Sequence, residues 1–410
     1  MENKVIEKIF ICPITGDTNF ETYFTLGEFP LVNNLNQSRE ESLNCDRYPL
    51  TVNLFTKSYL SALSHSVSSE LLFSNYLFKS EVNIPYINHC TRMFDYITGL
   101  IKLNPNDLIV DIGGNDGTLL SAFKATSNFN LSYLNIDPSK NLAVLSEQKG
   151  IPVLNDYFSI ETAKKVTQKA RVVTSTNVFQ HLKDINSFAE GVVHILDDNG
   201  LWVLEFPYWI HDLETNQFDQ VYHEHVYFYS LMPLKMMMEK HGFKIIRVEK
   251  QKIHGGTLRL VMAKQNSTYS PDTSIDEFIE LEKRFDLDYY KNWGQQVHAH
   301  LKICNQIISD LKSQNKKIVA FGAAAKGCIF LNAINITYKE IDYIIDDTDL
   351  KQGKYMPGTG LEIKSRDQVD LNSIDYILIL AHNFSEFIIE SFHDSYKGKF
   401  IQFLPEIKIS

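Results

Sequence analysis

Two stretches of the chain combine residue types at spacings that could do chemistry. The first is DIGGNDG, Asp111–Gly117, which follows the apolar run LIV at 108–110 and opens a helix-like segment. Gly113, Gly114 and Gly117 let the main chain turn tightly and approach a ligand closely. The helix start behind them presents unpaired N–H groups. Such a loop, at the carboxyl end of a first parallel strand, suits a nucleoside ligand. Asp111 and Asn115 belong to the same loop. Asp137 in NIDPS ends the next strand, where a carboxylate could accept both ribose hydroxyls. Asp156 in NDYFS could take an adenine amino group, with Tyr157 or Phe158 against the ring, and Asn177 ends a further strand at the same crevice.

The loop reads D-x-G-x-x-x-G and not G-x-G-x-x-G, and S-adenosylmethionine (SAM) has no pyrophosphate that would need the tighter turn. SAM is therefore the expected ligand, with NAD and a purely structural turn as the alternatives. The second stretch, EFPYWIHDLETNQFDQVYHEHVYFYS at 205–230, gathers His, Glu, Tyr and Asp after an apolar strand. Such clusters at the mouth of a parallel sheet are candidates for proton transfer. Adjacent His223, Glu224 and His225 make poor zinc ligands, and no HExxH spacing occurs. His181, in STNVFQHL just past another strand, should face the same crevice. His254 and Gly255, in HGGTLRL, form either a tight turn or a substrate contact.

The elements that must hold these residues follow from the hydrophobic pattern. LIVDIG (108–113), LSYLNID (131–137), VVTSTNV (172–178) and LWVLEFP (201–207) alternate with helix-like segments, the pattern of a doubly wound parallel sheet. Before them lie short extended pieces, Lys8–Cys12 and Tyr48–Leu54, among turn residues. After them the spacing predicts one long amphipathic helix over 276–313. A second α/β series follows, KIVAFGA (317–323), EIDYIIDD (340–347), DYILILA (375–381) and KFIQFLP (399–405). The expected division is 1–75, a small N-terminal domain; 76–270, a SAM-binding methyltransferase domain; and 271–410, a Rossmann-like domain.

A length of 410 residues exceeds one ordinary core. Fifty acidic against forty basic residues give a net charge of −10, which argues against nucleic acid as a partner. No run approaches the roughly 20 apolar residues that span a bilayer. MENKVIEK carries no secretory signal, and the five cysteines contain no CxxC pair, so reduced thiols and a cytoplasmic location are expected.

Taken in order, FPLVN (29–33), YPL (48–50), NYLFKS (75–80), DIGGNDG, NVFQH (177–181), YHEHVYFYS (222–230), HGGTLR (254–259), FGAAAKG (321–327), KQGKYMPGTGLEI (351–363) and FLPE (403–406) resemble the bacterial SAM-dependent sugar C-methyltransferases of deoxysugar biosynthesis. The resemblance implies a zinc-ribbon-like N-terminal domain, a class I SAM-methyltransferase sheet and a C-terminal Rossmann-like α/β domain. It implies a nucleoside-diphosphate 4-keto-6-deoxy sugar as substrate, and places Tyr76, His181, Tyr222, Glu224 and His225 at its reacting end. Lys326 and the helix start behind FGAAAKG would meet the diphosphate. A monomer or weak homodimer is expected.

The chain departs from that family at the metal. Two CxxC pairs should stand near 12–15 and 55–58, whereas this sequence has Cys12 with Thr15 and Phe55 with Ser58. Three of four thiolates are missing, so zinc is not expected and packing should hold the domain. His382 also replaces the Trp usual in relatives.

The chemistry implied is carbon alkylation. A C3 proton beside a C4 ketone is acidic because the carbanion delocalises as an enolate. His225 is the expected base, with Glu224 orienting or polarising it and Tyr222 or His181 stabilising the enolate oxygen. Transfer to a sugar hydroxyl or amine, an NAD-linked oxidoreductase and a non-catalytic nucleotide-sugar-binding protein are the competing readings.

Overall fold

The computed structural model describes residues 5–73, 84–128, 130–253 and 255–410. Its central element is a seven-stranded sheet. In chain order the strands are Leu108–Ile112, Ser132–Ile136, Val153–Leu154, Ala170–Thr176, Leu196–Pro207, Phe243–Gln251 and Thr257–Lys264. Counted first to seventh, they lie in the spatial order 6-7-5-4-1-2-3. The first five are mutually parallel, and the seventh runs antiparallel to both the fifth and the sixth. That order, with a reversed seventh strand, is the class I SAM-methyltransferase sheet. Its middle strands read as continuous apolar runs because helices cover both faces, and Ile109, Val110, Val172, Val173, Val203 and Leu204 are fully buried.

The order reverses direction between the first and fourth strands. The crevice for a ligand therefore opens at the carboxyl ends of those two strands, where DIGGNDG and STNVFQH both begin.

An antiparallel sheet of Phe20–Pro30, Arg47–Phe55 and Leu60–Leu63 packs on one side. Its edge is completed by Tyr227–Phe228, which belongs to the YHEHVYFYS segment. The Lys8–Cys12 piece expected to be extended is a strand only at Ile6–Lys8, paired with His65–Val67. A second seven-stranded sheet follows, and Asn36 and Ser42 of the N-terminal part bond its edge at Tyr355 and Met356. Its parallel core is Leu361–Lys364, Ile344–Ile345, Ile318–Phe321, Tyr376–Ile379 and Lys399–Gln402, in that order, with antiparallel Tyr355–Met356 and Lys408–Ile409 at the two edges.

The helix expected over 276–313 is two helices, Ser274–Glu282 and Leu287–Ser313. Glu282 is buried, and its carboxylate accepts from the Leu231 and Met232 amides at 2.7 and 2.8 Å and from the Tyr208 hydroxyl at 2.9 Å. Pinned there, the chain turns and restarts with Asp286 as N-cap, its side chain accepting from the Tyr289 amide. The second helix lies on Phe20–Pro30. Tyr290 meets Tyr23 at 4.9 Å between ring centroids, and Trp293 meets Phe24 at 5.0 Å. One apolar cluster runs from Cys12 through the central sheet to Leu404. Among the described residues no helix is long and apolar enough to cross a membrane.

Candidate active site

The glycine loop is held in a shape that only its own residues permit. Gly113 has φ of 71°, and a Cβ there would stand 2.1 Å from Val178 Cγ2. A Cβ on Gly114 would meet Asn135 Oδ1 at 2.4 Å, and one on Gly117 (φ 75°) would meet Ser146 Oγ at 2.5 Å. Asn115 also has positive φ, at 53°, and its amide donates to Asp137 Oδ2 at 3.0 Å. Asp137 accepts a second amide, from Ser139, at 2.8 Å. Both oxygens are thus oriented by main chain at the end of the second strand. Asp111 is 1% exposed, with Oδ1 on the Thr174 hydroxyl at 2.7 Å and no hydrogen-bond partner on Oδ2 among the described residues. Burial raises its pKa to about 7.

These residues fit the expected nucleoside. The loop glycines hold a tight turn, an aligned carboxylate stands at the second strand, and a buried carboxyl oxygen lacks a donor among the described residues. Asn177 follows the fourth strand with φ of 55°, its amide held by the Glu205 carbonyl. Asp156 is engaged otherwise: it pairs with Lys165 at 2.6 Å, which holds its carboxyl below the usual range. Tyr157 is half-exposed beside it, and Phe158 packs on Phe188. Gly113→Ala is expected to weaken SAM binding roughly tenfold or more, because both the positive φ and the Val178 contact forbid the methyl group. Titration calorimetry with the demethylated product checks this.

Val178, against Gly113, leads directly to the reacting groups. His181 Nδ1 lies 2.8 Å from the Glu224 carbonyl. Val226 N donates to the Gln180 carbonyl at 2.8 Å, so the histidine-rich loop is laced onto the NVFQH loop. The rings of His181 and His225 are 5.0 Å apart, and the Tyr222 ring lies tilted over His225 at 4.0 Å between centroids. His225 is buried, and its Nδ1 lies 2.9 Å from the Gln220 carbonyl. A carbonyl only accepts, so Nδ1 carries the proton and Nε2 keeps its lone pair. Burial, the neighbouring His181 and Lys326 push its pKa well down, so the ring is neutral.

Glu224 does not orient His225, as the sequence suggested. Its Oε1 accepts from Asn33 Nδ2 at 2.6 Å, and the orienting partner of His225 is the Gln220 carbonyl. Burial raises the Glu224 pKa to about 7, against the lowering effect of Asn33. By the same carbonyl argument, His181 spends its Nδ1 proton on Glu224. Burial lowers its pKa to about 4, and Nε2 faces the Gln180 amide nitrogen at 3.3 Å. Adjacent His223 turns away, onto the Tyr48 carbonyl at 3.1 Å. The N-terminal sheet thus grips this loop through Asn33 and Tyr48.

The C-terminal domain meets the 205–230 stretch through Lys326. Lys326 opens the helix Ala325–Ala333, and its Nζ lies 3.4 Å from Gln217 Oε1. Gln217 in turn donates to the Gly255 carbonyl at 2.8 Å. Gly255 (φ 90°) and Gly256 (φ 121°) form a tight turn, with no room for a Cβ beside Gln217 and His211. Tyr76 and His254 lie outside the described residues.

At the four positions where relatives carry zinc ligands, Cys12 Sγ lies 3.3 Å from Ser58 Oγ. Phe55 is in the core, edge-on to Phe20, and Thr15 bonds Asp17. No group of His, Cys, Asp and Glu suited to a metal occurs among the described residues.

Two family profiles match adjoining parts of the chain, one described as a methyltransferase domain over 88–248 and the other as the C-methyltransferase C-terminal domain over 252–405. The C-methyltransferase NovU of Streptomyces niveus is 27% identical over 416 residues, covering 99% of this chain and 98% of that protein. The two matched domains and this end-to-end likeness make the chain a SAM-dependent methyltransferase. Among solved structures, the magnesium protoporphyrin IX methyltransferase of Synechocystis PCC 6803 with bound SAM is 12% identical with a TM-score of 0.35, covering 45% of this chain and 81% of that one. The cyclopropane synthase MmaA2 of Mycobacterium tuberculosis is 13% identical with a TM-score of 0.34, covering 42% and 83%.

For a C-methyltransferase the two halves of the site have separate duties. The cofactor supplies an electrophilic methyl group; the chain must generate a carbon nucleophile beside it and exclude water. Asn33, Gln180 and Gln220, which contact Glu224, Val226 and His225, carried no residue-type signal of their own. Asn33 and Gln180 lay inside stretches noted for their resemblance, FPLVN and NVFQH, and Gln220 inside the 205–230 stretch.

Proposed function

We propose that this C-methyltransferase alkylates C3 of a nucleoside-diphosphate 4-keto-6-deoxy sugar through an enolate. The observation that carries the reading is the tautomer of His225, a neutral imidazole whose Nε2 lone pair is fixed by the Gln220 carbonyl. That is the state a general base must have before it takes a proton from carbon. Glu224, titrating near 7, is the donor suited to the C4 oxygen. Its protonated form can donate from one oxygen while Asn33 holds the other. Tyr222 is the second donor candidate. His181 serves as a wall of the site, since its one proton is committed to the Glu224 carbonyl.

The sugar and its nucleotide follow from the resemblance of the ordered motifs, with Lys326, a cation at a helix start beside Gln217, as the phosphate contact. The cofactor lies at the Asp111–Gly117 loop, with Asp137 on its ribose. The test is incubation with SAM and a panel of nucleoside-diphosphate 4-keto-6-deoxy sugars in deuterated water. A new C–CH3 signal, and exchange of the C3 proton without SAM, are expected. An O–CH3 or N–CH3 product would sink the proposal.

A further inference from the structure

The turn that orients His225 is gripped from the second sheet. Phe218–Gln220 is one turn of 3-10 helix, closed by the Gln220 amide donating to the Gln217 carbonyl at 3.2 Å. Its last residue supplies the carbonyl at 2.9 Å from His225 Nδ1. Gln217 and Asp219 are buried at this turn, and the reaction as described uses neither side chain. The Gln217 amide can stand in one way alone. Its Nε2 donates to the Gly255 carbonyl and the Thr215 hydroxyl, both at 2.8 Å, and a carbonyl only accepts. Oε1 is therefore the atom that faces Lys326 Nζ and His382 Nε2, each at 3.4 Å. Lys326 and His382 follow adjacent parallel strands of the second sheet, Ile318–Phe321 and Tyr376–Ile379. Gly255 lets this cluster close: a Cβ there would stand 2.6 Å from Gln217 Oε1 and 2.7 Å from the Asn383 side-chain amide.

The same contacts fix protons. An amide oxygen only accepts, so His382 carries a proton on Nε2. Its Nδ1 lies 3.2 Å from Asp219 Oδ2, and both groups are buried. A lone pair facing a carboxylate is repelled, so the two share a proton, held by the ring or by the acid. The turn thus has two holds on His382, one through Gln217 and one through Asp219. We propose that Gln217 is a positioning residue for the proton transfer. With Asp219 it fixes the turn to His382, and so keeps the Gln220 carbonyl where it holds the His225 proton on Nδ1. When that carbonyl moves away, Nδ1 loses its acceptor and the proton can pass to Nε2. The nitrogen that should take the C3 proton is then occupied. The second sheet in this way prepares the base without touching it. The inference rests on His225 as that base.

The test reads the His225 tautomer directly, from the NMR shifts of its two ring nitrogens in the full-length protein. In the unaltered chain Nδ1 should show as protonated and Nε2 as bare. Gln217→Leu, which keeps most of the volume and can neither donate nor accept, should give a mixture of the two tautomers. It should also slow C3-proton exchange by roughly tenfold or more, short of the loss from removing the base itself, with affinity for the demethylated cofactor unchanged. His382→Leu approaches the junction from the other side and should do the same, which keeps the test open if Gln217→Leu folds poorly. His382→Gln, whose amide can still donate to Gln217, should recover part of the effect. A purely structural turn would lower the melting temperature of these variants and leave the tautomer alone. A fully Nδ1-protonated His225 in both Gln217→Leu and His382→Leu overturns the positioning role. A tautomer shift with undiminished C3-proton exchange leaves the positioning standing and removes His225 as the base.

Discussion

His225→Ala is expected to lower methyl transfer by roughly 10²–10⁴-fold, the span usual for loss of a positioned general base, while binding of the methyl donor stays unchanged. The separation follows from the architecture. The loop Asp111–Gly117 is fixed by its own glycines and by Asp137, and Val178 of the NVFQH segment packs against Gly113. His225 is held separately, by the Gln220 carbonyl and by the tilted ring of Tyr222. The decisive measurement is exchange of the C3 proton into deuterated water without methyl donor, which needs the base and nothing that follows it. Exchange should be lost in parallel with turnover. Removing a buried ring also lowers stability by about 1–3 kcal/mol, so His225→Gln, which fills most of the volume but has no basic nitrogen, serves as the control. Near-normal exchange in both variants would take His225 out of the base role.

Much of this site was legible in the sequence for physical reasons that differ from place to place. The loop at 111–117 was legible because close approach and positive φ leave few residues acceptable. Gly113 and Gly117 are glycine for reasons visible in the structure, Val178 and Ser146 standing where a Cβ would be. The parallel strands were legible because a sheet covered on both faces writes itself as apolar runs. The pairing of Tyr227–Phe228 with Leu60–Leu63 was not, since it joins residues some 165 positions apart and leaves no local pattern. The break between the two helices within 274–313 was also hidden. Periodicity continues across it, and the cause is Glu282 bonding to the amides at the start of another helix.

The roles inside YHEH show the same limit more sharply. Residue type placed His223, Glu224 and His225 together, but adjacent side chains leave a loop in different directions. One meets Tyr48, one Asn33 and one Gln220. Those partners are a carbonyl, an amide and another carbonyl, and a carbonyl is present at every residue. No sequence pattern can announce which one will orient a base. The assignment of Glu224 to His225 rested on adjacency, and adjacency within a loop does not imply contact.

Glu224→Gln should separate the donor role from simple packing through its pH dependence. The carboxyl is buried, its pKa raised to about 7, and Asn33 donates to Oε1. If the protonated acid donates to the C4 oxygen, turnover should fall as pH rises through about 7 in the unaltered enzyme. Glutamine keeps an acceptor for Asn33 and offers an N–H that does not titrate. The variant should therefore lose that alkaline decline while running slower at its optimum. Glu224→Ala, with no donor at all, should lose about 10²–10³-fold in kcat. Stability gives an independent reading of the same group. A raised folded-state pKa contributes stability that is fully present below the unfolded value of 4.5 and lost as pH rises through about 7. Glu224→Gln should accordingly melt at a higher temperature than the unaltered protein above pH 7, and the difference should vanish in acid. Asp111 is also raised to about 7 by burial, but it lies on the cofactor side. Its titration should appear in the affinity for the methyl donor and persist in Glu224→Gln. An alkaline decline of kcat unchanged by that substitution would assign the donor to Tyr222 instead.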